Sequence, residues 1–532
     1  MHHFRPQHYG GRREHQEARM AKRSTPDKAS RPSHATYPPT NRGQREGGRQ
    51  EPRVIGVRGN HAPRSPRQPN AQMESDRADA STGERQELAS PPLDITEDMF
   101  PVDPVTVLVS IIVILLLAIV YNKQKQEKGK NLPPGPRPLP IIGNIHLMDM
   151  RKPYNTFIEL SKKYGPIFTI HLGTLRMVVL CGYDAVKEAL VNQADEFVDR
   201  PKMMLFYKVY KNHGVAFSNG ENWKEMRTFA VSVLRDYGMG KTAIEDTIIG
   251  EAGCLLKTIR SYGGKPFNNQ VILNAAVANI IASMLLNQRF DYDDPTLLKL
   301  MNLVNENARL MGEPMAQEKP ESTLCYHDDN LIALIAQLFA AGIETVYTTL
   351  RWGLLLMIKY PEIQKKVQNE IDRVIGTTPP KMEHKKQMPY TDAVLCEVQR
   401  FGDIAPNNFP HSTCHDVTLR GYFIPKGTTI IPLLSSVLRD KVYFAKPYEF
   451  YPEHFLDEDG HFKNNEAFIP FSAGKRNCAG ETLARMELFL FFTALLQNFT
   501  FQAPPGAVVD LTPALSSTNS PLPHKVCAIP RN

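Results

Sequence analysis

Hydrophobic and polar positions change period several times along this chain of 532 residues. Residues 1–98 show no sustained apolar periodicity and are rich in Arg, Gln, Pro, Ser and Gly. Such a segment has too little apolar surface to offset the entropy of ordering it, so it reads as a disordered leader. Val105–Tyr121 follows as a run of 17 residues that is apolar except at Thr106 and Ser110. At ~1.5 Å per residue the run nearly spans a hydrocarbon core, and Phe100–Pro104 completes it, which predicts a transmembrane anchor over 99–122. No small-residue cleavage site follows it, which argues against a removed signal peptide. Residues 123–146 are basic and then proline-rich. Lys123, Lys125, Lys128 and Lys130 precede Leu132-Pro-Pro-Gly-Pro-Arg-Pro-Leu-Pro140, a stiff extended hinge with few free N–H groups.

From residue 147 onward the helical period dominates. Long apolar patterns predict helices over Leu331–Met357, Tyr390–Phe401 and Glu481–Phe499. β-like runs at Ile167–Leu172 and Met177–Cys181 are joined by a Gly-Thr turn, and a helix opens in Asp184–Ala189. Met203–Asn212 reads as a loop or short helix. Gly421–Ile424 and Thr428–Pro432 read as further strands, followed by a helix near Ser435–Arg439. The fold class is therefore mainly α with a small β-sheet region at one edge and no internal repeat.

Charge separates the leader from the rest. Residues 1–98 hold 17 Lys/Arg against 13 Asp/Glu, so the net +7 of the chain leaves only +3 on the remainder. A near-neutral body gives no case for nucleic acid. Asp94, Glu97, Asp98 and Asp103 precede the anchor and the four lysines follow it, which predicts a lumenal N-terminus and a cytosolic body. Under that topology the basic first 70 residues would have to cross the bilayer. The seven cysteines show no paired spacing, as suits free thiols in a reducing compartment.

One of those cysteines carries the chemistry. Phe471-Ser-Ala-Gly-Lys-Arg-Asn-Cys-Ala-Gly480 places Cys478 after a glycine-bearing loop and directly before an apolar helix. A thiolate at a helix N-terminus is stabilised by the free N–H groups and positive end of the dipole. Gly474 and Gly480 allow close approach to a flat ligand, and Arg476 can pair with an anionic group. A lone cysteine before a helix is ordinarily a small buried hydrophobe. The full pattern Phe-x-x-Gly-x-Arg-x-Cys-x-Gly, however, resembles the haem-thiolate signature of the cytochrome P-450 monooxygenases. Phe471, Gly474, Arg476, Cys478 and Gly480 stand at its positions.

The resemblance extends over about residues 99–532, and three further constellations stand in the order it implies. Glu397-Val-Gln-Arg400 puts two charges at i, i+3 on one helical face, with His454 of Pro452-Glu-His-Phe455 as third partner in a structural triad. Ala341-Gly-Ile-Glu-Thr345 interrupts an otherwise apolar helix. It is similar to the family's distal-helix motif, whose glycine leaves room for dioxygen and whose Thr345 and Glu344 would relay protons toward the reacting oxygen. Ile343 stands where close relatives usually carry Thr. Arg200, Trp223, Arg227, His411 and Arg476 match positions that bind the haem propionates, Trp223 and Arg227 at i, i+4 on one face. Cys414-His415 departs from the family, which often has Arg after Thr there. Ala341, Ile343, Ile404, Ala405, Asn408, Phe409 and Leu515–Ser517 would line the substrate pocket, and Met203–Asn212 would cap it.

Thr348-Thr-Leu-Arg-Trp-Gly353 and Arg439-Asp-Lys441 add similarity to the microsomal family-2 type. The implied activity is insertion of one oxygen atom from dioxygen into an apolar organic substrate (a xenobiotic, fatty acid or steroid) at haem b ligated by the Cys478 thiolate. Electrons would come from NADPH through NADPH-cytochrome P-450 reductase, with cytochrome b5 as a second donor. Lys224 and Lys475 are candidate docking charges. The expected location is the endoplasmic reticulum membrane, single-pass, with a haem-binding domain over 147–532 on the cytosolic face. Members normally begin just before their anchor, so Met99 is a natural start and the leader reads as an alternative start or gene-model extension.

One stretch departs from the family. Arg227 and Thr345 are 118 positions apart, where the resemblance implies roughly 60 more, about a third of an average domain. The family pattern breaks near 315–318, and what is lacking matches the segment that roofs the active site. The competing readings are therefore a catalytically inactive splice or gene-model variant, and a haem-thiolate isomerase or sensor without electron supply. NADPH dependence of product formation discriminates the latter.

Overall fold

In the computed structural model, residues 103–127, 130–202, 210–310, 328–514 and 518–531 are described. The chain divides into units 1–99 and 100–532, and the first lies outside the described residues. So do most of the expected cap at 203–212, the 315–318 junction and Leu515–Ser517.

Twelve helices are described: α1 Pro104–Glu127, α2 Pro153–Tyr164, α3 Tyr183–Lys187, α4 Gly220–Asp236, α5 Thr242–Ser261, α6 Asn269–Leu286, α7 Pro295–Leu310, α8 Asp328–Lys359, α9 Pro361–Val374, α10 Pro389–Gly402, α11 Leu434–Leu438 and α12 Glu481–Asn498. Nine short strands accompany them: β1 Ile167–Leu172, β2 Leu175–Leu180, β3 Phe267–Asn268, β4 His411–Ser412, β5 Val417–Leu419, β6 Tyr422–Ile424, β7 Thr429–Pro432, β8 Phe499–Gln502 and β9 Lys525–Pro530.

Proline sets several helix starts. Pro153, Pro361 and Pro389 each stand in the first turn, where the missing N–H is no loss. A four-stranded sheet runs β1-β2-β7-β4, with β2 and β7 parallel and the other pairs antiparallel. β3-β9-β8 and the β5-β6 hairpin complete the β structure. The largest core lies among α5, α6, α8, α9, α10 and α12, with Phe489, Phe491, Phe492 and Phe499 wholly buried. There the apolar α8 and α12 cross closely enough that a Cβ on Gly353 would stand 3.2 Å from Phe492.

The apolar run that opens α1 has no polar face, and its described side chains are exposed, Val105 and Ile114 each at 63%. A helix of that kind suits lipid rather than water. α6 and α8 are also apolar and long enough to cross a bilayer, but α6 is mostly buried in the body. α8 is buried along its C-terminal half, while Leu331 (47%) and Ile332 (65%) near its start are exposed, as is Leu303 of α7 (55%).

Candidate active site

The loop before α12 is shaped by one glycine. Gly474 has φ +74°, and a Cβ there would lie 1.7 Å from the carbonyl oxygen of Leu190, in the π-helical turn Glu188–Asn192 after α3. Contact with the protein's own backbone is therefore enough to require glycine at 474. From that anchor the Cys478 N–H donates to the Phe471 carbonyl at 3.0 Å, closing the loop. Asn408 (φ +55°) braces it from α10's side by donating Nδ2 to Ser472 Oγ at 2.9 Å. Arg485, one turn into α12, lies over the Phe471 ring.

Cys478 stands three residues before α12, near enough to the Gly480 N–H for that group to favour its thiolate. Its accessible surface is large although protein surrounds it on most sides. An accessible sulfur ringed by protein lies on the wall of an opening into the body. Burial pushes the thiol pKa up; the Gly480 N–H and Arg227 oppose that shift and Glu481 adds to it. Left to these groups, Cys478 is a neutral thiol at pH 7.

A cluster of cations lies beside this loop. Arg476 donates Nε to the Val198 carbonyl at 2.8 Å and an Nη to the Ser218 carbonyl at 2.7 Å, with its guanidinium 4.0 Å from the Trp223 ring centre. Arg200 donates to the carbonyls of Phe409 and Pro410, each at 2.9 Å. Arg227 donates to the Asn477 carbonyl at 2.9 Å and to its side-chain oxygen at 2.6 Å. Burial and neighbouring guanidiniums push Arg200 down to about 9 and Arg476 to about 8, and burial also lowers Arg227. His411 holds the Phe197 carbonyl through Nδ1 at 2.7 Å. Among the described residues, His411 Nε2 and Trp223 Nε1 are buried without a hydrogen-bond partner.

These observations test whether haem fits. Two buried guanidiniums depressed by burial and by neighbouring arginines, the half-buried Arg227, a neutral imidazole and an orphan indole N–H all gain from a nearby dianion. Haem carries two propionates and takes a thiolate ligand, and this donor set suits it. Sequence reasoning missed Asn219 and Asn477, which hold the arginines. Asn219 accepts from the Arg200 N–H at 2.7 Å and from Arg476 at 3.2 Å. It immediately precedes α4, yet its side chain makes no capping bond and serves the arginines instead.

The distal motif divides between two faces of α8. Ala341 and Thr345, one turn apart, are exposed within an otherwise buried stretch, and Thr345 donates Oγ1 to the Ala341 carbonyl at 2.8 Å. Glu344 is buried and turned elsewhere, accepting from Tyr347, Thr348 and Thr518. The acid and the hydroxyl of the expected relay are thus not brought together. Ile343 is fully buried in the core and does not form a pocket wall. Gly342 packs closely on α6, where a Cβ would lie 2.7 Å from the tip of the Ile281 side chain. Ile404, Ala405 and Asn408 are half-buried and Phe409 is exposed.

The triad assembles as the spacing implies. Glu397 and Arg400 are fully buried and joined by two bonds of 2.6 and 2.7 Å. Arg400 also donates to the carbonyls of Leu438, Pro447 and Glu449. His454 Nε2 accepts from the Lys446 N–H, so Nδ1 carries the proton that faces Glu397 at 3.2 Å. In the departing loop, His415 pairs with Glu196.

With this geometry in place, similarity decides the family. The cytochrome P-450 family model matches residues 133–318 and 315–528. The chain belongs to the cytochrome P-450 family. It is 45% identical over 462 residues to cytochrome P-450 2K4 of Oncorhynchus mykiss, covering 75% of this chain and 92% of that protein. Cytochromes P-450 2G1 of Oryctolagus cuniculus and 2C23 of Rattus norvegicus are each 41% identical, over 466 and 462 residues, and cover 76% and 75% of this chain and 94% of each relative. It is thus a microsomal family-2 cytochrome P-450, a monooxygenase that uses haem with a cysteine thiolate ligand and NADPH-derived electrons. The family match is split at 315–318. In addition, 75% of 532 residues is about 400, some 60 short of the 462 aligned positions.

Proposed function

We propose that this chain inserts one oxygen atom of dioxygen into an apolar organic substrate of the xenobiotic, fatty-acid or steroid kind, on the cytosolic face of the endoplasmic reticulum. The observation that carries the site assignment is Cys478, three residues before α12, beside a cluster of arginines whose charges burial disfavours. When bound, haem supplies the iron at which dioxygen is activated, and a thiolate ligand pushes electron density toward O–O cleavage. Cys478 would serve as that ligand; its position before α12 opposes, without cancelling, the burial that favours the thiol, so the bound iron would supply the rest of the thiolate's stabilisation. Arg200, Arg227, Arg476, Trp223 and His411 hold the propionates. Thr345 is the proton-handling hydroxyl: its bond to Ala341 leaves its lone pairs to accept from water in the opening. Glu397, Arg400 and His454 hold the scaffold behind the site.

NADPH-cytochrome P-450 reductase, and cytochrome b5, would dock on the cysteine side. Lys475 pairs there with Asp195 and Lys224 with Glu221. Exposed pairs of this kind are worth little, so both lysines can exchange to a partner's carboxylates. α1 is the anchor, with the basic side cytosolic. Reconstitution with reductase, NADPH and oxygen-18 tests the reading. One labelled atom in the product supports it, and unlabelled product formed without NADPH would replace it with isomerase chemistry.

A second reading is an inactive variant that has lost about 60 residues near 315–318. It is supported by the shortfall in aligned residues, by the split family match, and by the exposed Leu303, Leu331 and Ile332 on α7 and α8. Each such side chain forgoes ~1.5–3 kcal/mol of burial. Failure to retain haem in membranes would favour this reading.

A further inference from the structure

The buried carboxylate of Glu344 has partners other than Thr345, and its surroundings give it work of their own. Oε2 accepts from the Tyr347 hydroxyl at 2.8 Å. Oε1 accepts from Thr518 at 3.0 Å and from Thr348 at 3.5 Å. Ser520 closes the cluster, 3.4 Å from the Thr348 oxygen and 3.3 Å from that of Thr518. Burial and the Glu344 charge both raise the Tyr347 phenol, which therefore stays a donor.

The clamp continues along the same helix face. Trp352 Nε1 donates to the Asn519 carbonyl at 2.7 Å, and Arg351 to the carbonyls of Pro521 and Leu522 at 3.2 and 3.3 Å. Asn519 in turn donates its N–H to the Ile404 carbonyl at 3.0 Å and Nδ2 to the Asp403 carbonyl at 2.8 Å. A continuous path thus runs from Glu344 through Thr518 and Asn519 to Ile404, just past the end of α10.

We propose that Glu344 is a positioning residue: by fixing residues 518–520 against α8 it sets the place of Ile404, and so the shape of the substrate pocket. The inference rests on the haem-monooxygenase reading only in taking Ile404 as a pocket residue. Asp or Glu serves here because an ionised carboxylate can accept from three hydroxyls at once. An isolated hydroxyl or amide could not satisfy Tyr347, Thr348 and Thr518 together.

The test compares Glu344→Ala, Glu344→Gln and Thr518→Val in the full chain. Amide hydrogen exchange over 518–522 needs no haem, and the binding constant of phenylimidazole, read from haem absorbance, reports the pocket. Losing a hydrogen bond to a charged group is worth roughly tenfold in an equilibrium. Glu344→Ala and Thr518→Val should each speed exchange and weaken phenylimidazole by about that factor, and the double variant should add little. Glu344→Gln keeps an acceptor for Thr518 but leaves Tyr347 or Thr348 short, so exchange and binding should fall between the parent and Glu344→Ala, nearer the parent. Unchanged exchange in Glu344→Ala overturns the proposal, as does a Glu344→Gln that behaves like Glu344→Ala. Should the parent not bind haem, the exchange comparison still decides between these outcomes, while the monooxygenase reading fails separately.

Discussion

Gly474→Ala should abolish thiolate-ligated haem without touching any ligand. The new Cβ would stand 1.7 Å from the Leu190 oxygen and 2.7 Å from its carbonyl carbon, whereas real Cβ atoms stay beyond 3.0 Å. Relief therefore demands a shift of roughly 1.3 Å in backbone on one side or the other, because both partners are main chain. The φ of +74° adds about 1 kcal/mol of strain for a residue with a side chain. Cys478 lies four residues on, in a loop closed by its own N–H to Phe471, so it moves with Gly474. Displacements of about 1 Å at a reacting group cost on the order of a hundredfold. The assay is the carbon monoxide difference spectrum of the variant at equal haem: the long-wavelength Soret band should give way to the short-wavelength one. Gly480→Ala is the control for folding. Its φ is −95° and its Cβ would meet only the Cys478 sulfur at 4.0 Å, an ordinary contact, so the haem-free protein should fold as the parent does. A Gly474→Ala protein with the full long-wavelength band would refute the reasoning.

Three further outcomes follow from buried charge. Arg400→Ala leaves the fully buried Glu397 without its guanidinium, held only by His454 and the Tyr451 N–H, and strips three carbonyls of a donor, at a cost of about 3–5 kcal/mol; urea unfolding should show the loss, and a change under about 1 kcal/mol would contradict it. Glu487 is wholly buried with no partner for either oxygen among the described residues, and burial raises its pKa well above the usual range. A raised acid contributes fully at low pH and loses that contribution as pH climbs, so Glu487→Gln should be more stable than the parent by about 1–3 kcal/mol at neutral pH, with the gap narrowing toward about pH 5. His411 is pushed the other way, chiefly by burial and then by Arg200 and Arg476. Its neutral form favours the fold, so the haem-free protein should lose up to about 1.4 kcal/mol per pH unit as pH falls below about 6.5, and His411→Asn should flatten that slope.

Much of this was legible in the residues because the signals were local. β1 occupies Ile167–Leu172, the run whose alternation marks a strand, and α10 and α12 lie within a residue or two of their apolar patterns. The Glu397–Arg400 pair follows from i, i+3 spacing, and His454 joins from 57 positions away only because the family pattern implied it. The misplaced residues share one cause. On a helix each step turns ~100°, so if Ala341 and Thr345 face the opening, Ile343 points to the far side and Glu344 lies a quarter-turn away. The motif fixed the residue types; packing against α6, with Gly342 on Ile281, fixed the rotation. The partner of Gly474 was likewise illegible, because nothing in a sequence links a loop glycine to a carbonyl 284 positions earlier.

The central claim is that Cys478 and its cation cluster assemble into a thiolate-haem site in this chain, despite the shortfall near 315–318. A carbon monoxide difference spectrum of membranes carrying residues 99–532, beside the same chain with Cys478→Ala, tests it most directly. The account predicts a long-wavelength Soret band in the parent that vanishes in Cys478→Ala. A parent with only the short-wavelength band, or with none, would contradict it.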